Sequence, residues 1–433
     1  LEPSNTNLDL ANANKETLEQ WAASLTTEFE EIKSKNLNLD LTRGKPSSDQ
    51  LSLSNGLDGI LNGDFTSSSG VDVRNYGGLE GIPEARELGS KILGVPVSNV
   101  LAAGNSSLTL MHNVASIAMF FGLTGPESAW KNEDKIKFLC LVPGYDRHFS
   151  ICEHLGIEML IAPMTATGPD MDKVEALIGA DPSIKGLWCV PKYSNPTGVV
   201  YSDDTVKRIA KLAKIAGPNF RVFWDNAYAI HDLSDNPPEL ANIYEACAAE
   251  GTEDSVIQFA STSKVTFAGA GVAFLAASDA NLKGLKKSFS YMTIGPDKVN
   301  QLRHVKFFAA EGALQAHMKK HAAIIKPRFA SVLKHLEAAF GNNDLGAWES
   351  ADGGYFISFD TRPGLAKTVV ALAAEAGVKL TPAGATFPYG KDPDDKNIRI
   401  APTVPTVEQV DEAMQVFVTC VNLASVKQAL EKL

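Results

Sequence analysis

The sequence predicts an α/β fold, in which a large domain with a mainly parallel seven-stranded sheet covered by helices carries a smaller α+β domain. Three observations lead there. Apolar runs of strand length recur at Ile136–Val142, Ile157–Ala162, Ile184–Val190, Phe220–Trp224, Ser255–Ala260 and Gly271–Ala277, most of them separated by segments that can form a helix. Such alternation is the pattern of a parallel sheet buried on both faces. Beyond Pro327 the pattern changes to helices among short, half-buried strands, which reads as a separate unit. The length, 433 residues, also exceeds what one hydrophobic core usually serves.

Composition narrows the function classes. With 44% hydrophobic and 21% charged residues the chain is a globular protein and not a disordered one. A formal net charge of −11 gives no electrostatic support to nucleic-acid binding or to adhesion on anionic lipid. The five cysteines are far apart and lack metal-ligand spacing, so they read as buried thiols of a reducing compartment, with no metal site. The long apolar run Leu108–Leu123 is interrupted by His112, Asn113 and Ser116, as suits a buried helix better than a membrane span. A cytoplasmic protein is expected.

Residues 1–14 are polar and read as an N-terminal arm, loose or wrapped around a partner subunit. Leu18, Trp21, Ala22, Leu25, Phe29 and Ile32 then recur at helical spacing across 15–35. The segment 39–46 is extended and ends in a turn, where Gly44 lets backbone approach a ligand. Residues 56–81 are too rich in glycine for regular structure, and Pro83 opens a helix through Ile92. A short strand, the turn Gly104-Asn105-Ser106-Ser107 and a helix N-terminus follow. They form a ready anion site, although the serines serve equally as a plain cap. Ser202 caps a helix over 203–216, and Ile294-Gly-Pro-Asp297 breaks two helical stretches, the second running towards Pro327. A helix over 327–340, a strand over 353–359, a helix over 366–376, the short strands 378–380 and 397–400, and a helix over 407–424 complete the chain. The expected division is a small substrate-closing domain of 15–60 and 327–433 and a large domain of 61–326.

In parallel α/β sheets ligands sit outside the carboxyl ends of the strands. Applied here, that rule collects Gly144 and Tyr145, Asn195, Asp225 and Tyr228, and Ser261 and Lys264. An aspartate can keep a pyridine nitrogen protonated, an asparagine and a tyrosine can hydrogen-bond a ring oxygen, and an aromatic can stack on the ring. The lysine amine can form a Schiff base with an aldehyde and then move a proton. Taken singly, Asp225 also suits a helix cap, the tyrosines suit packing and Asn195-Pro-Thr-Gly198 is an ordinary turn. Arg399, flanked by apolar residues, needs a carboxylate partner, supplied by a ligand or by an acid of its own chain.

Asn195-Pro-Thr-Gly198, Asp225-Asn-Ala-Tyr228, Ser261-x-x-Lys264 and Arg399 occur in the order found in fold type I pyridoxal-phosphate aminotransferases. The resemblance spans Gly44 to Arg399, and the wording around Lys264 and Ile294-Gly-Pro-Asp-Lys-Val-Asn300 resembles the divergent bacterial aspartate aminotransferase subgroup. It implies pyridoxal 5'-phosphate held as an aldimine by Lys264, Asp225 on the pyridine nitrogen, Asn195 and Tyr228 on the ring oxygen, and Tyr145 on the ring face. Gly104, Asn105, Ser106, Ser261 and Ser263 would line the phosphate site, with Tyr76 reaching it from a second subunit of a homodimer. Arg399 would hold the substrate α-carboxylate, with Gly44 and Asn195 beside it. The implied reaction is ping-pong transfer of the amino group of L-aspartate to 2-oxoglutarate. Within the class the alternatives are an aromatic or alanine aminotransferase and a β-lyase. A ligand-sensing regulator of the same fold is the alternative outside it, and the short stretch before Gly44 gives such a regulator's DNA-binding domain no room.

Two departures stand out. Many relatives carry a phosphate-binding arginine just after the lysine, whereas Ala268-Gly-Ala-Gly-Val272 has none. For the distal carboxylate of aspartate the sequence offers Lys298, Arg303, Arg43 and Arg147 without ranking them.

Overall fold

The computed structural model describes residues 8–433. Half of the expected arm, 1–7, lies outside the described residues, while Leu8 and Leu10 are buried against their own chain. The main sheet is built from β1 (Val100–Ala102), β2 (Lys137–Val142), β3 (Glu158–Thr165), β4 (Gly168–Pro169), β5 (Ile184–Cys189), β6 (Arg221–Asp225), β7 (Val256–Ser261) and β8 (Ala273–Ala277). Their spatial order is β1-β8-β7-β6-β5-β2-β3-β4. Strands β3, β2, β5, β6 and β7 run parallel, and β8 is antiparallel to both β7 and β1. All seven expected strands form. The eighth, β4, is two residues that fold back on the end of β3 through a turn at Ala166-Thr167, too short for any periodicity to reveal.

Every residue of β5 and β6 is buried, as a sheet covered on both faces requires. On one face Trp130, Phe138, Trp188, Phe223 and Phe259 form an aromatic slab, with Phe223 stacked on Phe259 at 6.0 Å. Helix α3 (Ser107–Phe120) covers that slab with Leu110, Met111, Val114 and Ile117. The helices Met171–Ala180, Asp203–Ala210 and Ile243–Glu250 cover part of the other face. The second of these stops at Ala210, short of the expected 216, and passes into a tight 3-10 turn. All five cysteines are buried and free. Among the described residues no helix is long and apolar enough to cross a membrane.

A separate apolar cluster joins α1 (Lys15–Ser34), α5 (Ala313–Phe340) and α6 (Val407–Glu431). Thr419 of α6 donates to Glu28 of α1 at 2.7 Å across this packing. Strands Gly346–Trp348, Ile357–Thr361 and Asn397–Ile400 make an antiparallel sheet beside it, and Leu39–Asp40 pairs in parallel with Val378–Lys379. Here the expectation of a helix starting at Pro327 is corrected, because α5 runs unbroken through that proline. Its buried stripe continues on both sides, from His317, His321 and Ile325 to Phe329, Val332 and Leu336. Proline costs the helix one hydrogen bond, and packing along the stripe outweighs that loss.

Candidate active site

The carboxyl edge of the sheet collects the expected residues. Asp225 ends β6 and is 2% exposed. Its Oδ2 accepts from His148 Nε2 at 2.9 Å, and its Oδ1 is buried with no partner among the described residues. A buried carboxylate oxygen left bare is costly, so this atom points to a donor that the chain itself does not supply. His148 lies one turn into α4 (Asp146–His154) and stacks on Trp188, with ring centroids 4.4 Å apart. Tyr145, the residue before α4, meets His148 edge to face at 4.9 Å.

Lys264 follows β7 in a turn whose Val265 and Thr266 N–H groups both donate to Thr262 O, at 2.9 and 2.8 Å. Its Nζ makes no hydrogen bond among the described residues and lies 5.3 Å from the Tyr228 ring and 5.9 Å from the Tyr355 ring. Burial pushes the amine's pKa down, opposed by the Asp225 carboxylate, so the neutral, nucleophilic form is favoured relative to a free lysine. The same burial raises the phenols of Tyr145 and Tyr228, with Asp225 adding to both. They remain protonated donors.

The turn Gly104-Asn105-Ser106 leads into α3, where Ser106 caps Thr109 N at 3.4 Å and the first-turn N–H groups point outward. Gly104 has φ 72°, which favours glycine. Ser263 Oγ donates to Asn105 O at 3.3 Å, Asn105 Nδ2 donates to Gly269 O at 3.2 Å, and Ser261 Oγ accepts from Ser263 N at 3.4 Å. These residues form one hydroxyl- and amide-lined cradle beside Lys264. Tyr76 is 83% exposed, and its side chain makes no hydrogen bond among the described residues.

Arg399 lies in the strand Asn397–Ile400, is 8% exposed and stacks on Phe356 at 4.6 Å. Its contacts are long: Asn195 Oδ1 at 3.4 Å, Thr42 O at 3.4 Å and Asp146 Oδ1 at 3.5 Å, with Nε unpartnered. Both alternatives for this arginine therefore meet here, since an own-chain acid is near and the fork still has free capacity. Gly44 is packed on Phe356, whose ring would lie 2.0 Å from an added Cβ, so the glycine seats the ring under the guanidinium. Of the other cations, Lys298 is buried and donates to Asn75 O and Gly77 O, holding the 74–81 loop. Arg43, Arg147 and Arg303 are exposed and make no ion pair among the described residues.

His148, Tyr355, His231 and Gln50 escaped the sequence reading. The first three are single polar residues in helix or loop contexts, and Gln50 is a helix-cap residue. Their approach to Asp225 and Lys264 comes from tertiary packing. Tyr193, just before Asn195, holds φ 50° with its hydroxyl donating to Asp232 at 2.6 Å, a strained backbone fixed beside the site.

A bare buried acceptor, an unpartnered amine and an anion cradle on one sheet edge fit a phosphorylated pyridine aldehyde. A family model described as aspartate amino-transferase matches residues 13–432. An aspartate aminotransferase of Corynebacterium glutamicum is 45% identical over 419 residues, covering 96% of each chain. The crystal structure of an aspartate transaminase from the same species has a TM-score of 0.93 and 44% identity, covering 98% of this chain and all of that one. The fold is shared more distantly with an α-aminoadipate aminotransferase of Thermus thermophilus, at a TM-score of 0.73 and 20% identity over 92% of this chain and 94% of that one. That structure holds N-(5'-phosphopyridoxyl)-L-leucine.

Proposed function

The chain belongs to the aspartate amino-transferase family, and on that premise we propose that it moves the amino group of L-aspartate to 2-oxoglutarate in two half-reactions, leaving oxaloacetate and L-glutamate. Pyridoxal 5'-phosphate supplies an aldehyde for the amine and an electron-withdrawing ring. Lys264 Nζ is the attachment point and then the base that takes the amino acid's Cα proton and returns it. Asp225 Oδ1 keeps a proton on the ring nitrogen, and His148 fixes the carboxylate by holding Oδ2. Asn195 and Tyr228 donate to the ring oxygen, and Tyr145 covers the ring face. Gly104, Asn105, Ser106, Ser261 and Ser263 bind phosphate with hydroxyls, N–H groups and the α3 dipole in place of an arginine. Arg399 takes the α-carboxylate, trading its long contacts for a bidentate pair, with Gly44 and Asn195 beside it.

The observation that carries this reading is the pairing of Asp225 Oδ1, buried and bare, with the unpartnered Lys264 amine on the same edge. We place the small, substrate-closing domain at 15–60 and 327–433, the large one at 61–326 and the arm at 1–14. Support comes from the apolar cluster that unites α1, α6 and Phe329, Val332, Leu336 and Phe340 of α5 apart from the sheet's own clusters, with α5 itself crossing the boundary. A homodimer fits the exposed apolar patch of Tyr76, Tyr291, Met292 and Ile294, whose two loops touch where Gly295 lies on Gly77. Tyr76 would then complete the partner's phosphate site. We keep a cytoplasmic protein without nucleic-acid or membrane partners, supported by a net charge of −11 that offers anionic partners no electrostatic attraction.

The test is the visible spectrum of the protein with pyridoxal phosphate before and after L-aspartate, without a keto acid. Loss of the bound-cofactor band matched one-to-one by oxaloacetate is expected. A band that responds to another amino acid alone would move the substrate, and no band at all would overturn Lys264.

A further inference from the structure

Behind Lys264 lies a polar network that the reaction does not itself use. Val265 O accepts from His317 Nε2 and His321 Nε2, each at 2.7 Å. Lys264 O accepts from Tyr355 OH and His231 Nε2, each at 3.4 Å. One side chain links the two carbonyls. Gln50 Nε2 donates to His321 Nδ1 at 3.1 Å and to Tyr355 OH at 3.0 Å. With Nδ1 accepting, His321 must carry its proton on Nε2, which is the tautomer that can hold Val265 O.

Gln50 also faces the other way. It sits in α2 (Ser48–Ser52) and is fully buried, and its Oε1 accepts from Ser47 N at 3.0 Å in a capping box. Ser47 closes the segment that holds Gly44. That segment touches the arginine fork through Thr42 O, which accepts from Arg399 Nη2 at 3.4 Å, and it is tied to 403 by Thr403 Oγ1 donating to Lys45 O at 2.8 Å. A buried amide with its oxygen and both hydrogens engaged cannot turn without breaking a bond, so displacement at either end is transmitted.

We infer that Gln50 is a positioning residue that couples the Thr42–Ser47 segment to the backbone of Lys264, so that a carboxylate bound at Arg399 tightens the lysine turn. This rests on the proposed role of Arg399. The experiment uses holoenzyme and succinate, a dicarboxylate with no amino group to transfer. Succinate affinity is measured by calorimetry, and hydrogen exchange is followed at the Val265 and Thr266 amides. In the parent protein, exchange of these amides should slow about fivefold or more with succinate, while Gln50→Met should bind succinate within about threefold of the parent and lose the slowing. Its kcat should fall about tenfold with KM for aspartate little changed, the size of one buried hydrogen bond. Gln50→Glu keeps the acceptor for Ser47 but lacks both donors, so it reads the same coupling with the helix cap intact, should the methionine variant not fold.

Slowing that persists in either variant overturns the coupling. So does succinate that binds the parent without slowing exchange, which leaves the Arg399 assignment standing. Succinate that does not bind the parent removes both.

Discussion

Asp225 is held by His148 through one oxygen and bare at the other, which makes its chemistry separable from its fold. Asp225→Ala should leave the cofactor bound but slow Cα-proton removal by at least about a hundredfold in single turnover, the usual worth of a positioned acid–base partner. Lys264→Ala should abolish turnover, and borohydride treatment should leave no cofactor mass on the protein, as read by mass spectrometry. At Arg399 the free capacity of the fork predicts that Arg399→Ala raises KM for aspartate about 10- to 100-fold, with Arg399→Lys in between, as steady-state kinetics would read. Lys264, Asp225 and Asn195 were legible as candidates because each ends or follows an apolar strand, and strand ends in a parallel sheet are where ligands gather. His148 and Gln50 were not. Their partners lie 77 and 271 residues away in sequence, so no local pattern carries them.

At the scale of elements, α5 brings His317 and His321 to the lysine turn, and the chain after β6 brings His231. Burial lowers the pKa of His231 to about 3, helped by Lys264 and His321, and that of His321 to about 4, against the pull of the Val265 carbonyl. The unfolded chain binds protons at these sites from the ordinary value of 6.5, so it gains protons first as pH falls. Stability is therefore full above about 6.5 and declines towards pH 4, with a slope of up to about 1.4 kcal/mol per pH unit for each histidine. Urea midpoints at pH 7.5, 6 and 5 should show the fall, and His231→Gln should flatten it. Strands with continuous apolar character were legible in order and nearly in extent. The two-residue β4 was not, because its pairing depends on a turn, and Pro327 misled because a long buried stripe outweighed its local preference.

For the whole molecule, the proposed sharing of sites makes a specific prediction. A Tyr76→Ala chain and a Lys264→Ala chain are each impaired, yet a mixed dimer contains one site with both residues intact. Refolding the two together in equal amounts should recover about a quarter of parent activity, measured against each variant refolded alone. The two-domain expectation came from length and a change of pattern at Pro327, whereas the union of the first and last helices in one cluster has no local trace in the sequence. Leu18, Leu25, Phe29 and Ile32 of α1 are buried in the cluster completed by α6. During synthesis about 370 residues must be added between the end of α1 and the start of α6, roughly 20 to 75 s at ordinary elongation rates. For that interval the apolar stripe of α1 has no α6 to close against, and the Arg399 strand is made just before α6. The large sheet can be complete on the ribosome while the unit that carries Arg399 is still open, so competence for the proposed reaction arrives last, with α6.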